Sequence, residues 1–130
     1  MVEVLIAIML ISVGLITLAS LQDTGWRSMA KSDYVGRAAG ILHDTLERYY
    51  VTIANPSNAV SIGTQAEEEV TTSGRSTPIR GDVTYTVKAI ITQTNAEPQT
   101  FLVTVNVAWP GSSKGISESV EVSRQESYEF

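Results

Sequence analysis

One carboxylate, Glu3, stands at the head of a run in which no residue from Val4 to Gln22 carries a charge. At the start of a helix such a group complements the positive end of the helix dipole and caps free N–H groups. If neighbouring copies of the chain bury it, it needs a cationic partner such as a terminal ammonium, because an unpaired buried charge is strongly unfavourable. The residue types allow both roles. Other candidates for chemistry are weaker. The triplet Glu67–Glu68–Glu69 reads as a solvated face, since Ca²⁺ and Mg²⁺ sites draw oxygen ligands from convergent positions and no such loop spacing is present. His43, the only histidine, sits beside Asp44 with no nucleophile motif near it, and reads as solvated or helix-packed. The chain has no Gly-rich phosphate loop, no GxSxG and no HExxH. The absence of cysteine removes thiolate ligands, cysteine nucleophiles and disulfides. These readings point away from an enzyme and imply neither metal nor cofactor.

The elements that would position Glu3 follow from the hydropathy pattern. VLIAIMLISVGLITLASLQ is apolar all round rather than along one stripe, so it calls for lipid or complete burial in protein. As a helix it rises about 30 Å, the thickness of a bilayer's hydrocarbon core. A cleaved signal peptide would have a basic segment before the run, where Met1, Val2 and acidic Glu3 stand instead. From Asp23 to Ile53 there is no proline, and Ala30, Tyr34, Ala38, Ile41, Leu42, Thr45, Leu46 and Tyr49 recur at spacings of three and four. Charges Arg27, Lys31, Arg37, Asp44, Glu47 and Arg48 fall largely between them, with Asp44 and Arg48 spaced for an i,i+4 pair. Pro56 ends the helix by excluding helical dihedrals at Asn55. Gly14, Gly25, Gly36 and Gly40 invite bends or local melting, each costing about 1 kcal/mol relative to alanine.

The rest alternates with the two-residue period of half-buried strands. Val83, Tyr85, Val87, Ala89 and Ile91 share one face, as do Phe101, Val103, Val105, Val107 and Trp109. Asn95–Ala96–Glu97–Pro98 and Pro110–Gly111–Ser112–Ser113 supply turns, and a weaker strand over Ser117–Arg124 points Val120 and Val122 inward. An antiparallel meander of this kind has one apolar face, and the only cover available is the amphipathic half of the helix, with Leu42 and Leu46 central. Four segments result: 1–22, an apolar transmembrane or filament-core helix; 23–54, its amphipathic continuation; 55–80, an exposed loop; and 81–130, the sheet region of a globular head. The fold class is α+β, a long N-terminal helix packed on a small antiparallel sheet with the apolar half left free.

The 130 residues carry 9 basic and 14 acidic side chains, a net charge of −5, which argues against nucleic-acid binding through a basic face. Trp26, Tyr34, Tyr49, Tyr50, Tyr85, Phe101 and Trp109 could be drawn as an electron path, but core packing and interfacial anchoring account for them more simply. Trp26 lies just past the apolar run, where a membrane-interface indole belongs.

VEVLIAIMLISVGLITLASLQ resembles the N-terminal segment shared by type IV pilins and the pseudopilins of type II secretion. Its continuation ISVGLITLASLQ is most similar to PilV-type minor pilins and the GspI-type minor pseudopilin. The resemblance is specific over roughly the first 22 residues and loose over Asp23–Ile53; beyond them only the helix-then-meander order of the pilin fold matches. The family's mature chain begins with an aromatic residue, Thr, Leu, an aliphatic residue and Glu; Val2–Glu3 match the last two and Met1 stands at the leucine. The resemblance therefore implies a short basic leader and two further residues ahead of Met1. It implies that Glu3 pairs with the N-terminal amine of an adjacent subunit. It also implies that the residues from Val4 to Leu21, among them Leu5, Ile8, Leu10, Ile11, Leu15 and Leu18, form a filament core, with Gly14 the place where the helix bends or melts. The implied partners are other copies or related pilins, the inner membrane before assembly, a pilus assembly platform and a prepilin peptidase. The implied location is the inner membrane, then an extracellular pilus or periplasmic pseudopilus. Many members carry a C-terminal disulfide loop that this chain cannot form, so the last strand is expected to be secured by packing, with help from Tyr128 and Phe130. A priming or minor pilin present in few copies, and a single-pass anchored periplasmic binding domain that never polymerises, stay open beside the filament subunit.

Overall fold

A computed structural model describes residues 1–75 and 77–124. The chain divides into two compact units, Met1–Tyr34 and Val35–Phe130. One helix, α1 (Val2–Ala54), is followed by β1 (Gly63–Thr64), β2 (Glu68–Thr71), β3 (Thr84–Asn95), β4 (Thr100–Trp109) and β5 (Ser112–Ser123). The architecture is α+β, a long N-terminal helix packed on a small antiparallel sheet.

α1 spans 53 residues and ends at Ala54, two positions before Pro56. Its last turn lacks a basic residue, and the amide of Asn58 donates to the Thr52 carbonyl at 3.1 Å instead. Asn55 turns the chain by accepting from the Ser57 N–H at 3.0 Å. The helix is unbroken through Gly14, one of the glycines where a bend or local melting was expected. One glycine costs about 1 kcal/mol, too little to interrupt a ladder whose hydrogen bonds continue on both sides.

Within the second unit, β3, β4 and β5 form an antiparallel meander, and β1 and β2 both pair along the free edge of β3. In β3 and β4 alternate side chains enter the core, with Val87 opposite Val107, Ala89 opposite Val105 and Ile91 opposite Val103. Ala38, Leu42, Leu46 and Ile53 of α1 join Tyr85, Val87, Ala89, Ile91, Phe101, Val103, Val105, Val107 and Val122 in one buried cluster. Truncating a large member of such a cluster costs about 2–5 kcal/mol. Thr45, the buried polar residue on this face of the helix, returns its hydroxyl to the Ile41 carbonyl at 2.8 Å. The Tyr85 and Trp109 rings meet at 6.4 Å between centroids in a tilted arrangement.

The segment 55–80, anticipated as a loop, contains β1 and β2. Both strands are short and sit at an edge, and in β2 only Thr71 is fully buried, so neither leaves an alternating apolar signature. β5 begins at Ser112, five residues earlier than its sequence suggests, because Pro110–Gly111 alone make the turn and Trp109 pairs with Ser112. Gly111 has φ +95°, a conformation that favours glycine.

Candidate functional site

The surface that could carry function in the first unit is the helix itself. Glu3 lies in the first turn of α1. Val4, Leu5, Ile8, Leu10, Ile11, Leu15 and Leu18 are each 57–69% exposed. They are joined by Ile6, Met9, Val13, Ile16 and Leu21, so apolar side chains face outward on every side. Two hydroxyls inside the run are satisfied by their own helix. Ser12 Oγ donates to the Ile8 carbonyl at 2.7 Å, and Thr17 Oγ1 reaches the carbonyls of Val13 at 3.0 Å and Gly14 at 2.8 Å. Such back-bonding removes the main penalty for placing hydroxyls in hydrocarbon. This helix is long and apolar enough to cross a membrane, and it is compatible with membrane anchoring. Beyond the run, Trp26 is 72% exposed and Asp23 pairs with Arg27 at 3.1 Å.

In the second unit Leu42, Leu46, Tyr85, Val87, Val103, Val105 and Val107 are buried, while Val83 and Trp109 are half-buried at the margin of the cluster. The acidic triplet is exposed, as expected, and two of its members also make surface ion pairs. Glu67 pairs with Lys88 at 2.6 Å and Glu68 with Arg48 at 2.8 Å. Arg48 thus turns to β2 instead of to Asp44, and its guanidinium is held above its usual pKa by the hydrogen bond to Glu68. The register explains the division: Glu68 lies opposite Val87 on the helix-facing side, and Glu69 opposite Thr86 on the other. That outer side forms an open hollow of about 590 Å³ lined by Glu67, Glu69, Thr86, Lys88, Asn106 and Trp109 among others. Its Lys88–Glu67 pair is already closed internally, and among the described residues no three His, Cys, Asp or Glu side chains are grouped to hold a metal. His43 is exposed on α1.

Two polar anchors escaped the sequence reading. Arg124 fastens the end of β5: its N–H donates to the Gln99 carbonyl at 2.9 Å. Its guanidinium donates to Gln99 Oε1 at 3.1 Å and to the Asn58 carbonyl, and lies 5.8 Å from the centroid of Phe101. The last strand is therefore held by hydrogen bonds and a cation–π contact as well as by packing. Tyr128 and Phe130, assigned that task from sequence, lie outside the described residues. Asp82 closes the β2–β3 connection by accepting from Ser73 Oγ at 2.6 Å, Ile79 N–H at 2.9 Å and Thr72 Oγ1 at 3.1 Å. The Ser73 bond, followed by that from Ile79, pulls its carboxyl below the usual aspartate range. Neither anchor has a local signature. Arg124 depends on the pairing of Thr100 with Ser123, and Asp82 on hydroxyls nine and ten residues earlier.

No family model, curated protein or solved structure matches this chain.

Proposed function

We propose that this chain is a structural subunit of a type IV pilus-like filament, held in the inner membrane by residues 4–22 before assembly. The observation that carries the reading is the division of α1. Its N-terminal part exposes aliphatic side chains all round behind a first-turn carboxylate, whereas Ala38, Leu42, Leu46 and Ile53 belong to the core of the head. Such an exposed surface is worth about 25 cal/mol per Å² when removed from water, so it resides in lipid or in an equally apolar protein environment. Helices of neighbouring copies, or of related pilins, supply the second environment. Transfer from membrane to filament then exchanges one apolar surrounding for another, with no passage of the run through water.

Glu3 sets the register in this proposal. Stacked copies bury its carboxylate, and the N-terminal amine of an adjacent subunit neutralises it; without that partner the buried charge opposes assembly. A prepilin peptidase would prepare the amine and an assembly platform would extract the subunit. The role is structural, with no catalytic step.

The test is electron microscopy of filaments sheared from cells, with mass spectrometry of the same material. The expected result is a thin filament in which this chain is the dominant component. A trace amount within filaments of another pilin would assign it a minor or priming role. Retention in the membrane fraction with no filament would overturn the proposal in favour of an anchored, non-polymerising domain.

A further inference from the structure

Asp23 is the first charged residue after Glu3, and the cations Arg27 and Lys31 follow it at intervals of four along α1. That spacing puts all three on one face, since residues four apart are neighbours on a helix surface. The face carries an open hollow of about 570 Å³ lined by Asp23, Thr24, Arg27, Ser28, Lys31 and Tyr34 among others. It lies wholly within the Met1–Tyr34 unit. Arg27 meets Asp23 through Nε at 3.1 Å, which leaves the terminal amino groups of its guanidinium as donors. Lys31 is exposed and, among the described residues, makes no ion pair. Asp33 is two positions further on, a spacing at which helical residues do not face each other.

Two cations at i,i+4 repel each other on a helix, so the arrangement favours an anion held between them. Asp23 answers Arg27 and leaves the face one negative charge short. A phosphate suits this donor set, because it accepts from a guanidinium fork and an ammonium together, and Ser28 and Tyr34 add hydroxyl donors. Position along the helix says which phosphate. Trp26 is 72% exposed and, at about 1.5 Å per residue, stands about 6 Å past Gln22. The headgroup layer on each side of a bilayer is about 5–8 Å deep, and indoles collect in it. Arg27 adjoins Trp26 at that depth. Lys31 starts about 13.5 Å past Gln22, but helical side chains lean toward the helix N-terminus, which brings its long stem back toward the same layer.

We propose that Arg27 and Lys31 form a binding site for the phosphate of a phospholipid headgroup, set beside Trp26 at the edge of the bilayer. The phosphate bridges the two cations and cancels their repulsion, while the acyl chains lie along the apolar run. A headgroup without a cation of its own fits best, because a choline or ethanolamine ammonium meets Arg27 and Lys31 as a like charge. Such a site fixes the depth and rotation of the helix, which interfacial Trp, Lys and Arg anchors set where hydrophobic length alone does not. It presupposes that the run resides in a membrane, as proposed above, and is independent of assembly into a filament.

The test uses the full chain in nonionic detergent micelles, with bound lipid weighed by native mass spectrometry. The probe is phosphatidylglycerol, set against diacylglycerol with the same acyl chains and no phosphate, and against free glycerol phosphate. The natural chain should retain phosphatidylglycerol and neither of the other two. Arg27→Gln combined with Lys31→Gln should weaken that retention by about tenfold or more, and Lys31→Arg should preserve it. Arg75→Gln combined with Arg80→Gln, which removes two exposed cations from the second unit, should change nothing. Equal retention by the natural chain and the Arg27/Lys31 double variant, at equal helix content, overturns the proposal. Diacylglycerol held as well as phosphatidylglycerol means acyl contact alone, and glycerol phosphate held as well means a soluble-phosphate site; either result sinks it. Alkaline extraction of the natural chain from cell membranes separates the site from the reading beneath it. Release into the soluble fraction removes membrane residence and the site together, whereas membrane retention with equal lipid binding by the double variant removes the site alone.

Discussion

The two units of this chain use the same aliphatic residue types to opposite ends. In Val35–Phe130 the alternating valines of the sheet join the core with α1 and are lost to solvent: Val103, Val105 and Val107 are 0% exposed. In Met1–Tyr34 no side chain is buried, and leucines and isoleucines stand 54–70% exposed along the helix. Sequence alternation explains the first arrangement, because a period of two confines the apolar groups to one face that a single amphipathic helix can cover. A continuous run cannot be covered that way, as its apolar groups point in every direction. The head satisfies its hydrophobic demand internally; the N-terminal helix must satisfy its demand outside the chain.

That contrast can be broken from either side. Phe101→Ala should lower the stability of the head by about 3–5 kcal/mol by leaving a cavity. In chemical denaturation of the detergent-solubilised chain this appears as an earlier unfolding midpoint, with membrane association unchanged. Leu10→Arg should do the reverse: a charge at the middle of the run costs about 2.5–3.5 kcal/mol on insertion. Alkaline extraction of membranes should then release more of the variant, while the head unfolds as in the natural protein. Arg124→Ala sharpens the comparison within the head, since loss of a charged donor from several partners costs about 1.5–3 kcal/mol. Hydrogen exchange should quicken at the end of β5 and in the 96–99 turn more than in β3.

The smallest effect concerns pH. Asp82 has its folded pKa lowered, chiefly by Ser73 and then by Ile79. Its contribution is therefore present above the unfolded aspartate value and is lost as pH falls through the lower folded value. Asp82→Asn should flatten that part of the acid-side decline in thermal stability and leave neutral-pH insertion of the helix untouched.

The general layout was legible because its signals are local. A charge-free run, apolar spacings of three and four, a proline after Ala54 and two stretches of strict alternation are each visible within a short window. What was not legible depends on register and on distant partners. β1 and β2 exist because the edge of β3 accepts them, not because two or four residues specify a strand. Arg48 had a plausible partner one turn away in Asp44, yet the 2.8 Å contact is to Glu68, twenty residues on. Arg124 and Asp82 are ordinary charged residues until the turns that surround them are in place. The acid at the head of the apolar run is visible at once; the amine proposed to neutralise it would come from a neighbouring subunit, which one chain does not show.

In the proposed role the apolar helix exchanges lipid for neighbouring copies under the control of Glu3. The direct measurement compares Glu3→Ala with the natural chain in cells, reading sheared filaments and membrane-retained protein side by side, with thermal unfolding of the purified head signal as a check on folding. Glu3→Ala should fold and enter the membrane normally but yield few or no filaments. Filaments of normal number and length from Glu3→Ala would contradict it.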